Sequence, residues 1–143
     1  MPEPRISTSE RARVLERAKG CCEYCQSQEQ YSPDSCFSIE HIIPLSKGGT
    51  NTLDNLAFAC QVCNNRKYTS IQAFDPVSQS TVPLYHSRQH SRAEHFAWGD
   101  NGVILQGLTL IGRAAVEKLQ LNRSGLLKLL RILIEVGEHP PVV

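Results

Sequence analysis

Two cysteine pairs, Cys22-x-x-Cys25 and Cys60-x-x-Cys63, stand 34 residues apart and restrict what this chain can fold into. Four thiolates at that spacing can close a tetrahedral zinc site with Zn–S bonds of about 2.3 Å, provided the segment between them forms a structure that returns the second pair to the first. Cys21 with Cys25 is an alternative ligand pair, but a two-residue spacer suits a zinc knuckle better, so Cys22 is the expected ligand. Cys36 has no partner at ligand spacing and is expected as a buried or free thiol. All six cysteines precede residue 64. Disulfides would suit an exported chain, whereas in a reducing compartment metal ligation is the better reading. Zinc held by four cysteines has no open position, so its role is structural and any chemistry must come from elsewhere.

With 143 residues, 41% hydrophobic and 20% charged, the chain has the size and composition of an ordinary globular protein and lacks the signature of disorder. No apolar run approaches the roughly 20 residues needed to cross a bilayer, and the charged segment before Gly20 does not read as a secretory signal. A cytoplasmic protein without a membrane partner is expected. The net charge of +1 says little about polyanions, because phosphate binding depends on where cations sit.

Local patterns suggest an order of elements. Ser7 and Glu10 have capping-box spacing, and Val14, Leu15 and Ala18 recur as on a helix that Gly20 ends, with Arg11, Arg13, Arg17 and Lys19 largely outward. A polar loop follows from Gln26 to Ser35. A strand is expected over Phe37–Ile43, a loop at Lys47–Asn51, a strand at Leu56–Ala59 and a helix from Gln61. Pro76–Pro83 reads as a linker. Beyond it come Phe96–Trp98, a Gly99–Gly102 turn, a strand over Val103–Leu108 and helices from about Leu110 and Ser124. The last helix is apolar over a wide face from Leu126 to Val136, first a core and second a homodimer interface. His86, His90, His95 and His139 have no paired ligand spacing and are expected in surface or packing roles, and Trp98 as a core anchor.

The residues between and after the pairs read Ile39-Glu40-His41-Ile42-Ile43-Pro44, Gly48-Gly49-Thr50-Asn51, Asp54-Asn55-Leu56 and Cys60-Gln-Val-Cys63-Asn64-Asn65-Arg66-Lys67. From about Arg11 to Lys67 this resembles the HNH endonuclease family. The resemblance implies a ββα-metal nuclease core, with structural zinc, over residues 1–75; the local patterns beyond it read as a C-terminal α+β extension over 76–143, packed on the core, so the expected fold is α+β. The resemblance also implies that His41 is the general base, that Asn55 fixes the backbone around it, and that Glu40 and Asn64 hold a hydrolytic divalent cation. Asn64 stands where some members have His and others Asn, and its amide oxygen, a weaker ligand than imidazole for soft metals, tilts the cation towards Mg²⁺ or Mn²⁺. It further implies hydrolysis of the bond from the 3′ oxygen to phosphorus in DNA.

The chemistry asks for these residue types on its own account. Imidazole, with an ordinary pKa of about 6.5, can accept a proton from water near neutrality. A hard cation stabilises charge building on the phosphoryl oxygens. Successive side chains on a strand point to opposite faces, so Glu40 and His41 meet one phosphate only where the strand bends or ends. Gly48 and Gly49 are expected to form a flexible loop presenting Asn55, and Arg66 and Lys67 to touch DNA phosphates or to be a solvated pair. A second reading is a noncatalytic, zinc-stabilised nucleic-acid-binding module, which has no need of Glu40, His41, Asn55 and Asn64 together. A third is a protein-interaction module formed mainly by the last helix.

Overall fold

The computed structural model describes residues 6–34 and 36–141. Helix α1 (Thr8–Ala18) starts on the expected capping box: the Ser7 hydroxyl accepts from the Glu10 N–H and the Glu10 carboxylate accepts from the Ser7 N–H, each at 3.1 Å. Lys19 and Gly20 turn left-handed at its end, and the Gly20 N–H closes on the Leu15 carbonyl at 3.2 Å. Val14 packs on Leu56 and Phe58, with Leu15 and Ala18 alongside. Arg17 departs from the expected outward face. It is half-buried and donates to the Leu56 carbonyl, which orients its guanidinium towards the sheet.

Strands β1 (Phe37–His41) and β2 (Leu56–Cys60) pair antiparallel, from Phe37 opposite Cys60 to His41 opposite Leu56. Helix α2 (Gln61–Lys67) follows directly, giving a ββα unit. The fold is thus mixed α and β, with small two-stranded antiparallel sheets. Phe37 and Ile39 share the face that meets the Val14 cluster, and the rings of Phe37 and Phe58 stack at 5.1 Å. β2 is buried along its whole length, as its Leu-Ala-Phe-Ala-Cys run requires.

Residues 76–83 are not a linker: they are the turn and second strand of a hairpin, β3 (Gln72–Asp75) with β4 (Ser80–Pro83). The reason lies in Asp75. Its carboxylate accepts from the N–H groups of Val77 at 3.2 Å and Ser78 at 3.1 Å, which builds the turn, and takes the Arg113 guanidinium on both oxygens at 3.0 and 2.9 Å. A four-residue helix α3 (Arg92–His95), which the sequence pattern did not indicate, precedes the hairpin of β5 (Phe96–Gly99) and β6 (Ile104–Gly107). Helices α4 (Leu110–Leu119) and α5 (Ser124–Glu135) close the described chain near the positions expected. Gly112 in α4 allows close approach to α3, for a Cβ there would lie 2.1 Å from the His95 carbonyl oxygen.

One apolar cluster joins the two halves. It contains Cys22, Tyr24, Cys25, Cys60 and Cys63 together with Leu84, Tyr85, Phe96, Leu105, Ala114, Ala115, Leu119, Leu126 and Leu130. The wide face of α5 is accordingly divided: Leu126, Leu130 and Leu133 are buried at helical spacing, while Ile132 and Val136 stay exposed. Of the four later histidines, His86, His95 and His139 are buried. His95 is hydrogen-bonded to the Thr109 hydroxyl, and His139 meets the Trp98 ring edge-on at 4.6 Å.

Candidate active site and metal centre

The strand, loop, strand segment brings the cysteine pairs together. The sulfurs of Cys22, Cys25, Cys60 and Cys63 all lie within 4.8 Å of one another, and Cys25 and Cys60 are 3.8 Å apart. Zn–S bonds of about 2.3 Å at tetrahedral angles put ligand sulfurs about 3.8 Å apart, so the donor set fits zinc. Each pair also has a knuckle hydrogen bond, from the Cys25 N–H to Cys22 Sγ and from the Cys63 N–H to Cys60 Sγ, both at 3.5 Å. The four thiols act on one another's protons. Burial pushes Cys22 well up, while hydrogen bonds from neighbouring thiols, Cys22 first, draw Cys25 and Cys60 down.

Arg123 adds a charge that no motif in the sequence points to. Its guanidinium reaches Cys60 Sγ at 3.5 Å, Cys63 Sγ at 3.7 Å and Cys25 Sγ at 3.9 Å, and donates to the Leu119 and Gln120 carbonyls. Burial alone would ease its proton off, but the neighbouring thiolates outweigh that and raise its affinity for the proton. With zinc bound, a tetrathiolate centre would carry two net negative charges, and Arg123 would offset part of them. Cys21 stays outside the cluster, with its thiol on the Lys19 carbonyl, and Cys36 is exposed and free.

His41 lies at the end of β1 with a half-buried ring. Its Nε2 meets the Asn51 side-chain oxygen, and because an amide oxygen only accepts, Nε2 carries the hydrogen and Nδ1 the lone pair. Beyond His41 the chain is held by Asn55, which lies at the end of a single turn over Leu53–Asn55. The Asn55 amide donates to the carbonyls of Ile43 at 2.9 Å and Thr50 at 2.8 Å, and its oxygen accepts from the Ile43 N–H at 2.8 Å. Its own carbonyl accepts from the Ile42 N–H at 2.9 Å. The loop from Pro44 to Asn51 is therefore pinned at both ends. Gly49 is required there because a Cβ would fall 1.8 Å from the Ile43 carbonyl oxygen.

Glu40 points to the opposite face from His41, towards α2. One carboxylate oxygen accepts from the Tyr24 hydroxyl, and the other lies 3.0 Å from Lys67 Nζ. Burial pushes the Glu40 carboxyl up, and the Lys67 charge and Tyr24 hydroxyl pull against that shift. Lys67 also donates to the His41 carbonyl at 3.2 Å. Its side chain is 1% exposed, so it is neither a surface phosphate contact nor half of a solvated pair; the buried Glu40 carboxylate fixes it inside. Arg66, by contrast, is exposed on α2. Asn64 lies on the same side as Glu40, its amide donating to the Ser38 hydroxyl at 3.3 Å. As donors, a carboxylate and an amide carbonyl suit a hard divalent cation. Each Glu40 oxygen already has one partner and keeps a second lone pair.

Residues 22–70 match the family model described as HNH endonuclease. These residues are an HNH domain. Over 77 residues the chain is 32% identical to EcoKMcrA, a type IV methyl-directed restriction enzyme of Escherichia coli K12. That match covers 52% of this chain and 28% of the relative, so the chain spans little more than a quarter of the relative's length. The HNH domain runs from the first zinc knuckle to just past α2 and takes in His41, Glu40, Asn55 and Asn64. Tyr24 and Asn51 also fall inside it. Both carry a sequence signal, Tyr24 between two ligand cysteines and Asn51 two residues after Gly49, whereas Arg123 lies far outside. Among the described residues no helix is long and apolar enough to cross a membrane.

Proposed function

We propose that this protein is a metal-dependent DNA endonuclease in which His41 is the general base. The observation that supports it best is the placement of the imidazole, half-exposed at the open end of β1 with Nε2 engaged by Asn51 and Nδ1 left as the accepting nitrogen. A water bound at Nδ1 gives up its proton to the imidazole as it attacks phosphorus, and the bond to the 3′ oxygen breaks, that oxygen taking a proton from solvent, which leaves 5′-phosphate and 3′-hydroxyl ends. A divalent cation, Mg²⁺ or Mn²⁺, held through Glu40 and Asn64 supplies positive charge for the phosphoryl oxygens. Asn55 positions the reacting strand end through its bonds to Ile43 and Thr50. Arg66, exposed on α2, touches the DNA backbone. The likeness to a restriction enzyme supports DNA as the polymer.

One observation favours the second reading, a zinc-stabilised module that binds nucleic acid without cutting it: the Glu40 carboxylate is already neutralised by Lys67. Cleavage of supercoiled plasmid decides between them. The zinc-loaded protein with added Mg²⁺ or Mn²⁺ nicks or linearises the plasmid, and His41→Ala lowers the rate by roughly 10² to 10⁴ while zinc content and DNA affinity are kept. Asn64→Ala raises the Mg²⁺ or Mn²⁺ concentration required and leaves zinc unchanged. If His41→Ala cuts at the parental rate once contaminating nuclease is excluded, the binding module is the better account.

A further inference from the structure

A cavity of about 230 Å³ is lined by Arg17 and Lys19 from the end of α1, Glu23 from the first knuckle, and Ser87, Arg88 and Arg92 from the segment leading into α3. Four cations thus face one carboxylate, and that carboxylate is committed: Glu23 accepts from the Phe58 N–H at 2.7 Å and pairs with Arg88. Each arginine spends only part of its donor set on the protein. Arg17 donates to the Leu56 carbonyl, Arg88 to Glu23, and Arg92 to the Glu23 carbonyl at 3.1 Å.

What remains is unusual. Among the described residues five buried side-chain polar atoms have no hydrogen-bond partner, and four of them belong to residues that line this cavity: Arg17 Nε, Ser87 Oγ, Arg88 Nε and Arg92 Nη2. Orphaned buried donors are costly, by roughly 1–3 kcal/mol for a neutral group and more for a charged one. They persist where an ordered water or a ligand brings the acceptors. Here three of the four atoms can only donate and the fourth is a hydroxyl, so the missing partner is rich in acceptors and negatively charged. Burial lowers the proton affinity of all three guanidiniums, and the Arg17 charge adds to this at Arg88, which falls to about 10.

We propose that this cavity binds a phosphate group through Arg17, Ser87, Arg88 and Arg92. The group is either a backbone phosphate of nucleic acid or a free phosphate anion. The cavity adjoins the HNH strands, because Leu56, whose carbonyl Arg17 holds, is the cross-strand partner of His41. Phosphate binding here does not depend on hydrolysis, and the two are separable by experiment.

Inorganic phosphate is titrated into the zinc-loaded full chain by calorimetry and thermal unfolding, against chloride at equal ionic strength. The expected result is saturable binding with one phosphate per chain and a rise in Tm that chloride does not produce. Arg88→Gln weakens it at least tenfold and Ser87→Ala several-fold, while His41→Ala binds as the parent does. Ser87→Ala keeps the test decisive if Arg88→Gln fails to fold, since Ser87 Oγ has no protein partner to lose. Phosphate that stabilises no better than chloride, or binding indifferent to Ser87→Ala, overturns the proposal. Displacement of inorganic phosphate by a duplex with 5′-hydroxyl ends identifies the ligand as a backbone phosphate, and failure to displace it identifies a free anion.

Discussion

Lys67 Nζ lies 3.0 Å from the Glu40 carboxylate and 3.2 Å from the His41 carbonyl, so one buried ammonium ties α2 to two successive residues of β1. A charge with that burial is stable only while its partner is present. Lys67→Met leaves the Glu40 carboxylate without a cation in an apolar surround and is expected to cost about 3–5 kcal/mol in urea unfolding at neutral pH. The loss grows with rising pH, since burial has already raised the Glu40 carboxyl and removing Lys67 takes away the charge that most strongly holds it down. The double variant Glu40→Gln/Lys67→Met recovers much of the stability; a double variant no better than the single one shows that the ion pair is not what Lys67 provides.

Asn55 makes two donor bonds and one acceptor bond to the loop it holds, and its two replacements should differ. Asn55→Ala orphans Ile43 and Thr50 backbone groups at about 1–3 kcal/mol each where they stay dry. Asn55→Asp is worse, because a carboxylate would face two carbonyl oxygens that now receive N–H donors. Amide exchange at Ile43 measures this directly and should accelerate in both variants.

Removing a ligand tests the metal centre. Cys60→Ser should lose zinc by elemental analysis and unfold the HNH domain, since structural zinc contributes directly to folding. Cys36→Ser, at an exposed thiol, should do neither. Arg123→Gln should keep the metal but release it faster to a competing chelator, because the thiolates lose their nearest cation. Zinc affinity unaltered in Arg123→Gln would reduce Arg123 to a cap on the Leu119 and Gln120 carbonyls.

Asp75 gives the fold an acid-sensitive joint. The Arg113 guanidinium, against some opposition from burial, and the Ser78 and Val77 donors hold its carboxyl well below the usual carboxylate range. A depressed folded-state pKa contributes stability that is complete above the unfolded value, about 3.9, and is lost as pH falls towards the folded one. The urea midpoint of Asp75→Asn should therefore lie below the parent's at pH 7, and the gap should narrow below about pH 4. A gap that stays constant to pH 2 means that the pair with Arg113 is not its source.

The parts of this molecule that were legible in its sequence are those set by local spacing. The Ser7–Glu10 box, the alternation around Ile39, the burial of Leu56–Cys60 and the two cysteine pairs each announce their element within a few residues. What was not legible depends on partners distant in the chain. Asp75-Pro76 reads as a break, yet Arg113, 38 residues on, converts it into a hairpin turn. Lys67 follows Arg66 as though both were solvated, until Glu40 is placed opposite it. Arg17 sits among outward cations on α1, but the Leu56 carbonyl draws it in. His95 has no ligand-like neighbour in sequence and finds the Thr109 hydroxyl across the next hairpin.

Cys63 and Asn64 are consecutive residues of α2, one facing the zinc sulfurs and the next facing Glu40's side of β1. Two ions with opposite lifetimes would thus share a single helical turn, one held for the life of the fold and one exchanging with solvent. Chelation then acts in two stages. If the proposed function holds, a brief exposure should strip the labile ion, with cleavage returning on added Mg²⁺; a long exposure should draw the zinc and cost the helix its anchor, so that Mg²⁺ alone restores nothing until zinc is returned.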